Sequence, residues 1–96
     1  MKFVLPKTIK ILGHKIKVKL IDTHEYAGLW DYDLNTIFIS INQSEKQIEE
    51  TFHHEVRHSI QYHTGMTQAM SRDLMEIDAE MSSRIICDVI RKCYKK

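Results

Sequence analysis

Between Thr8 and Ile21 the chain reads TIKILGHKIKVKLI, with Ile9 and Ile11, then Ile16, Val18 and Leu20, at alternate positions and lysines between them. A period of two belongs to a strand with one face buried and the other in water. The stretch predicts two short strands joined at Gly13-His14, a weaker hairpin signal than Asn-Gly. A third strand is predicted over Thr36 to Ile41, TIFISI, where β-branched residues follow the turn-prone DYDLN. The intervening THEYAGLWDYD fits either a loop or a short helix followed by an edge strand.

After Ile41 the period changes. Ser44 with Gln47 forms a capping-box pattern, and Glu45, Glu49 and Glu50 place negative charge where a helix N-terminus favours it. Ile48, Phe52, Val56 and Ile60 then recur every four residues, and Gly65 stands where a left-handed C-cap belongs. These signals predict a helix from Glu45 to Thr64. A second helix is predicted from about Ser71 to Tyr94, with Leu74, Ile77, Met81, Ile85 and Val89 as its buried stripe. The expected fold class is therefore α+β: a small, mostly antiparallel three-stranded sheet packed against two main helices, in a single domain over residues 1–96.

Length supports that economy, because 96 residues supply material for one small core. Apolar residues make up 43% and charged residues 28%, ordinary for a globular fold and too apolar for a disordered chain. The formal net charge is +1 and the 14 basic residues are not pooled in one arm, so nucleic acid is not an expected partner. Lys7, Lys10, Lys15, Lys17 and Lys19 make the N-terminal part basic, a pattern read here as the solvated face of a sheet. Cys87 and Cys93 are spaced for neither a Cys-x-x-Cys pair nor a disulfide framework, which points to a reducing, cytoplasmic setting. Pro6, Lys7 and Lys10 break any signal-peptide core, and no apolar run approaches the length needed to span a membrane.

The first helix carries the chemistry. Its TFHHEVRH, residues 51–58, contains His-Glu-x-x-His, with His54 and His58 four apart and so on one face. Two neutral imidazoles on one face can hold a zinc ion, and Glu55 can take the proton of a metal-bound water as it attacks a carbonyl. A catalytic zinc site uses three protein ligands. The second helix offers Glu76 and Glu80, again four apart, within MEIDAE. This spacing resembles the glutamate-zincin arrangement, which assigns Glu76 as third ligand and Glu80 as the residue orienting a histidine, the reverse assignment remaining open. His53 points roughly 100° away from His54 on the helix, His63 is poorly spaced to join His58, and His14 and His24 stand alone. Tyr26, Tyr32, Tyr62, His24 and Arg72 have the chemistry to stabilise an oxyanion, and spacing singles out none of them.

Beyond the motif, the hairpin, the segment AGLWDYDLNTIFIS, the helix QIEETFHHEVRHSIQYHTG and the helix EIDAEMSSRII together resemble the minimal zincin domains of phages and other mobile elements. Those domains are related to ImmA/IrrE-type metallopeptidases and more distantly to SprT-like ones. The resemblance spans about residues 8 to 90. It implies a zinc-dependent peptidase acting on a protein or peptide in the host-cell cytoplasm, with His54, His58 and Glu76 as ligands and Glu55 as general base. Ala79 matches the family's Glu-x-x-Ala, whereas Glu80 stands where an Asp or Asn is usual, and Arg57 occupies a position usually small or aliphatic. Arg57 is expected on the solvent side. The strand NTIFIS is the expected edge against which an extended peptide would pair.

Overall fold

Leu12 and Gly13, both at positive φ (49° and 82°), make the turn between the first two strands. Two consecutive left-handed residues are what a tight hairpin with right-handed strand twist requires. The turn thus lies one residue earlier than Gly13-His14, and His14 opens the second strand. The computed structural model describes residues 3–94, with side chains for residues 3–83 and Ile85. Its elements are β1 (Thr8–Ile11), β2 (His14–Ile21), β3 (Gly28–Asp31), β4 (Thr36–Ser40), α1 (Glu45–His63), α2 (Met66–Ala69) and α3 (Arg72–Tyr94).

The architecture is α+β, but the sheet has four strands in the order β1-β2-β4-β3 rather than three. Two pairings are antiparallel, and β2–β4 is parallel. The extra strand is β3, within the stretch that the sequence left ambiguous. Asp31 Oδ1 accepts from the N–H groups of Asp33 (3.0 Å) and Leu34 (3.1 Å), and Asn35 sits at φ 51°, so the chain reverses after β3. The returning β4 inserts between β2 and β3. Its burial fits a central strand: Thr36, Ile37, Ile39 and Ser40 are all buried. This corrects the expectation that residues 35–40 form a free edge. The edge is β3.

Ile16, Val18, Ile37 and Ile39 form the covered face of the sheet, against Phe52 of α1. Ile48 and Val56 pack around them from the same helix, with Phe3, Leu5, Ile9, Ile11 and Trp30. The predicted cap of α1 is present in full: Ser44 Oγ accepts from Gln47 N–H and Gln47 Oε1 accepts from Ser44 N–H. Gly65 follows α1 at φ 78°, in the left-handed conformation, and α2 is a single turn within the connection to α3.

The burial of α3 differs from the expected stripe. Leu74, Ile77, Met81 and Ile85 are each more than half exposed, and the side chain of Val89 lies outside the described ones. The face toward α1 instead carries Ala79 and Ser83, both buried, with Asp78 and Met75 beside them. Small residues allow close helix approach, and polar partners on α1 select this face. Asp78 receives Arg57 Nε at 2.7 Å, while Gln61 Nε2 donates to Asp78 Oδ2 (2.8 Å) and Met75 O (3.0 Å). A hydrophobic period alone cannot register such partners. Among the described residues no helix is long and apolar enough to cross a membrane.

Candidate metal centre

His54 and His58 lie one turn apart on α1, with ring centroids 4.8 Å apart and Nε2 atoms 3.2 Å apart. From α3, Glu76 brings Oε1 to 2.6 Å from His58 Nε2 and Oε2 to 3.9 Å from His54 Nε2. One donor atom from each of the three lies within 4.8 Å of the others. Two imidazoles and one carboxylate are the donor types zinc takes in a three-ligand site.

The other ring nitrogens decide whether those donors are available. His54 Nδ1 is 3.2 Å from Glu80 Oε2, and His58 Nδ1 is 2.9 Å from Gln61 Oε1. The Gln61 amide has its orientation set, because its Nε2 donates to Asp78 and to Met75 O. Its oxygen must therefore face His58, which makes Nδ1 the donor to Gln61 and leaves Nε2 as the nitrogen facing Glu76, the one available to a metal. A carboxylate acceptor at His54 Nδ1 favours the same tautomer. The donor set thus fits a divalent metal in type, convergence and tautomer. Burial and the neighbouring His58 lower the pKa of His54, opposed by Glu76 and Glu80, and so favour the neutral ligating form.

Glu55 lies against β3 at Gly28, with His58 and Glu76 near enough to act on its charge. Its carboxylate accepts the backbone N–H of Trp30, and the residue is only 7% exposed. Desolvation, with Glu76 as a further cause, raises its pKa from 4.5 to about 7, against the lowering effects of His58 and the Trp30 N–H. A carboxylate that titrates near neutrality is suited to accept and return a proton. Gly28 permits this closeness: a Cβ there would overlap Thr51 Cγ2 and come within 3.0 Å of Glu55 Cγ. Gln43 holds the start of β3 in place, donating to Ala27 O (3.1 Å) and Ser40 O (2.9 Å) and accepting from Thr51 Oγ1 (3.1 Å).

His54, Glu55, His58, Glu76 and Glu80 all line one open cleft of about 1060 Å³, bounded by β3, α1 and α3. Glu76 takes the position beside both Nε2 atoms, and Glu80 the position behind His54. The five residues named for oxyanion chemistry, His24, Tyr26, Tyr32, Tyr62 and Arg72, also line this cleft. His53 instead packs on Phe3 and Phe52, and His63 stacks on His14 at 4.1 Å with its Nε2 3.0 Å from Asn35 Oδ1. Arg57, expected on the solvent side, is half-buried in its pair with Asp78. Sequence reasoning missed Gln61, Asp78 and Gly28. Gln61 carried a usable signal, since a residue three beyond His58 shares its helix face.

No protein-family model, curated protein or solved structure matches the chain.

Proposed function

We propose that the protein is a small zinc-dependent metallopeptidase in which His54, His58 and Glu76 hold the metal and Glu55 is the general base. The observation that carries this reading is the convergence of two Nε2 atoms and one carboxylate beside a buried glutamate at a sheet edge. Zinc bound there supplies a Lewis acid that polarises a peptide carbonyl and makes water acidic near neutral pH.

The chain's own residues supply the remainder. Glu55 accepts a proton from the attacking water and returns it to the departing amine nitrogen. Glu80 and Gln61 hold the imidazoles in the ligating tautomer. An extended peptide pairs with the outer edge of β3, whose Gly28, Leu29 and Trp30 line the cleft, and not with the interior strand β4. A protein or peptide substrate follows from that edge.

Elemental analysis after zinc loading and desalting tests the ligand set. About one zinc per chain is expected by the three-ligand chemistry, lost in His54→Ala and in Glu76→Ala. Zinc at background level in the parent protein would refute the reading. Glu55→Gln is expected to keep the metal and abolish hydrolysis of a denatured-protein substrate.

One observation favours a second reading, a non-catalytic zinc-binding module. Among the described residues, and apart from weaker contacts, α3 packs on α1 alone, so a metal shared by His54, His58 and Glu76 would fasten the two helices together. That reading expects chelation to detach or melt α3, with no turnover in any variant.

A further inference from the structure

Among the described residues, no helix covers the second face of the sheet. Strand alternation puts Thr8 and Lys10 of β1, Lys15, Lys17 and Lys19 of β2, Phe38 of β4 and Leu29 of β3 on it, opposite the buried Ile16, Val18, Ile37 and Ile39. The registers place Lys10 directly opposite Lys15, and Lys19, Phe38 and Leu29 side by side across three strands. All four lysines are exposed, and among the described residues none of them forms an ion pair. The one acidic strand residue on this face, Asp31, is on β3, where its Oδ1 accepts from the following turn. A net charge near zero conceals this grouping, because the acidic residues lie mainly on the helices and loops.

We propose that this open sheet face binds single-stranded nucleic acid, with the lysine row along β2 tracking the phosphates and Phe38 offering a ring to an unstacked base. Three features support that occupant. Alternate residues of a strand repeat at about 6.6 Å, so Lys15, Lys17 and Lys19 form a row of cations that matches a chain of regularly spaced anions. Lys10 and Lys15 form a like-charge pair across the ladder, an arrangement that costs the free protein stability and that bound phosphate relieves. Phe38 and the 41% exposed Leu29 adjoin Lys19, and an aromatic beside a cationic groove is the combination that binds single strands without sequence preference. A duplex keeps its bases stacked on one another and so has no comparable use for the half-buried ring of Phe38. The site lies on the face opposite α1 and does not depend on the metal.

Fluorescence polarisation with a labelled oligothymidylate, in the presence of chelator, tests the proposal. With four phosphate contacts, affinity should fall about 50-fold between about 50 and 200 mM salt, since the single-strand slope is about 0.7 per contact. The double variant Lys15→Gln/Lys19→Gln should bind more weakly, with that fall reduced to about 7-fold. Its circular dichroism melt should be no lower than the parent's, because both side chains project into water and Lys15→Gln removes the repulsion from Lys10. No binding by the parent would overturn the proposal, as would an unchanged salt slope in the double variant. Equal affinity for a duplex of the same length would remove the single-strand assignment. Sedimentation with phosphatidylserine vesicles in the absence of oligonucleotide binding would assign the face to a membrane surface instead.

Discussion

Replacing Glu55 with Gln measures what it costs this fold to keep an ionisable group at the sheet–helix junction. Glu55 is 7% exposed, and its pKa is raised from 4.5 to about 7, chiefly by desolvation. Below the ordinary carboxyl range both folded and unfolded chains carry the proton, and the group is neutral for stability. As pH rises above 4.5 the unfolded chain ionises first, so stability falls until the folded carboxyl also ionises near 7. At 1.36 kcal/mol per pKa unit, the loss is about 3 kcal/mol, a large share of the stability of a domain this small. Gln removes the titration but presents one N–H₂ where there was an acceptor, so the gain should be about 2 kcal/mol. Urea unfolding with chelator, at about pH 4 and about pH 8 on either side of the window, should show the variant no more stable than the parent at the lower pH and more stable at the higher. A difference between parent and variant that does not change with pH would refute the desolvation argument. Zinc should narrow the gap, because a cation beside Glu55 favours its ionised form.

Gly28→Ala places a methyl group against Thr51 and Glu55, and overpacking of this kind costs about 1–3 kcal/mol; a thermal melt no lower than the parent's would show that β3 and α1 are not in contact as described. Gln61→Met keeps the volume but removes the acceptor at His58 Nδ1, so zinc affinity, read by competition with a chromogenic chelator, should drop about 10- to 100-fold. The two sides of α3 should respond oppositely. Ile77→Lys, on the exposed side, should change stability by less than about 0.5 kcal/mol, whereas Ala79→Leu, on the fully buried side, should cost about 1–3 kcal/mol. Reversal of those two results would mean that α3 is rotated.

Strand alternation, the Ser44–Gln47 capping box and the apolar period of α1 are local, and each is visible in a few consecutive residues. These features define β1, β2, β4 and α1 to within a residue or so, and they put His54 and His58 on one helix face. The candidate ligands and base are therefore legible in the amino-acid order alone, and Glu76 and Glu80 follow from the same spacing on a second helix. What the sequence by itself does not determine depends on partners distant along the chain. Insertion of β4 between β2 and β3 follows from its burial on both sides, a property of neighbours rather than of TIFIS itself. The face that α3 turns inward is not the one its apolar period indicates: Leu74, Ile77 and Met81 have the right spacing, but polar attachment through Asp78, Gln61 and Arg57 and close approach at Ala79 set the actual contact. Only the tertiary structure shows that Gln61 sets the tautomer of His58, that Gly28 lets Glu55 lie against the sheet edge, and that lysines from two strands share one uncovered face. Hydrophobic periodicity reports which side of an element avoids water; which neighbour covers that side is decided by the polar and steric fit of residues that the chain brings together only on folding.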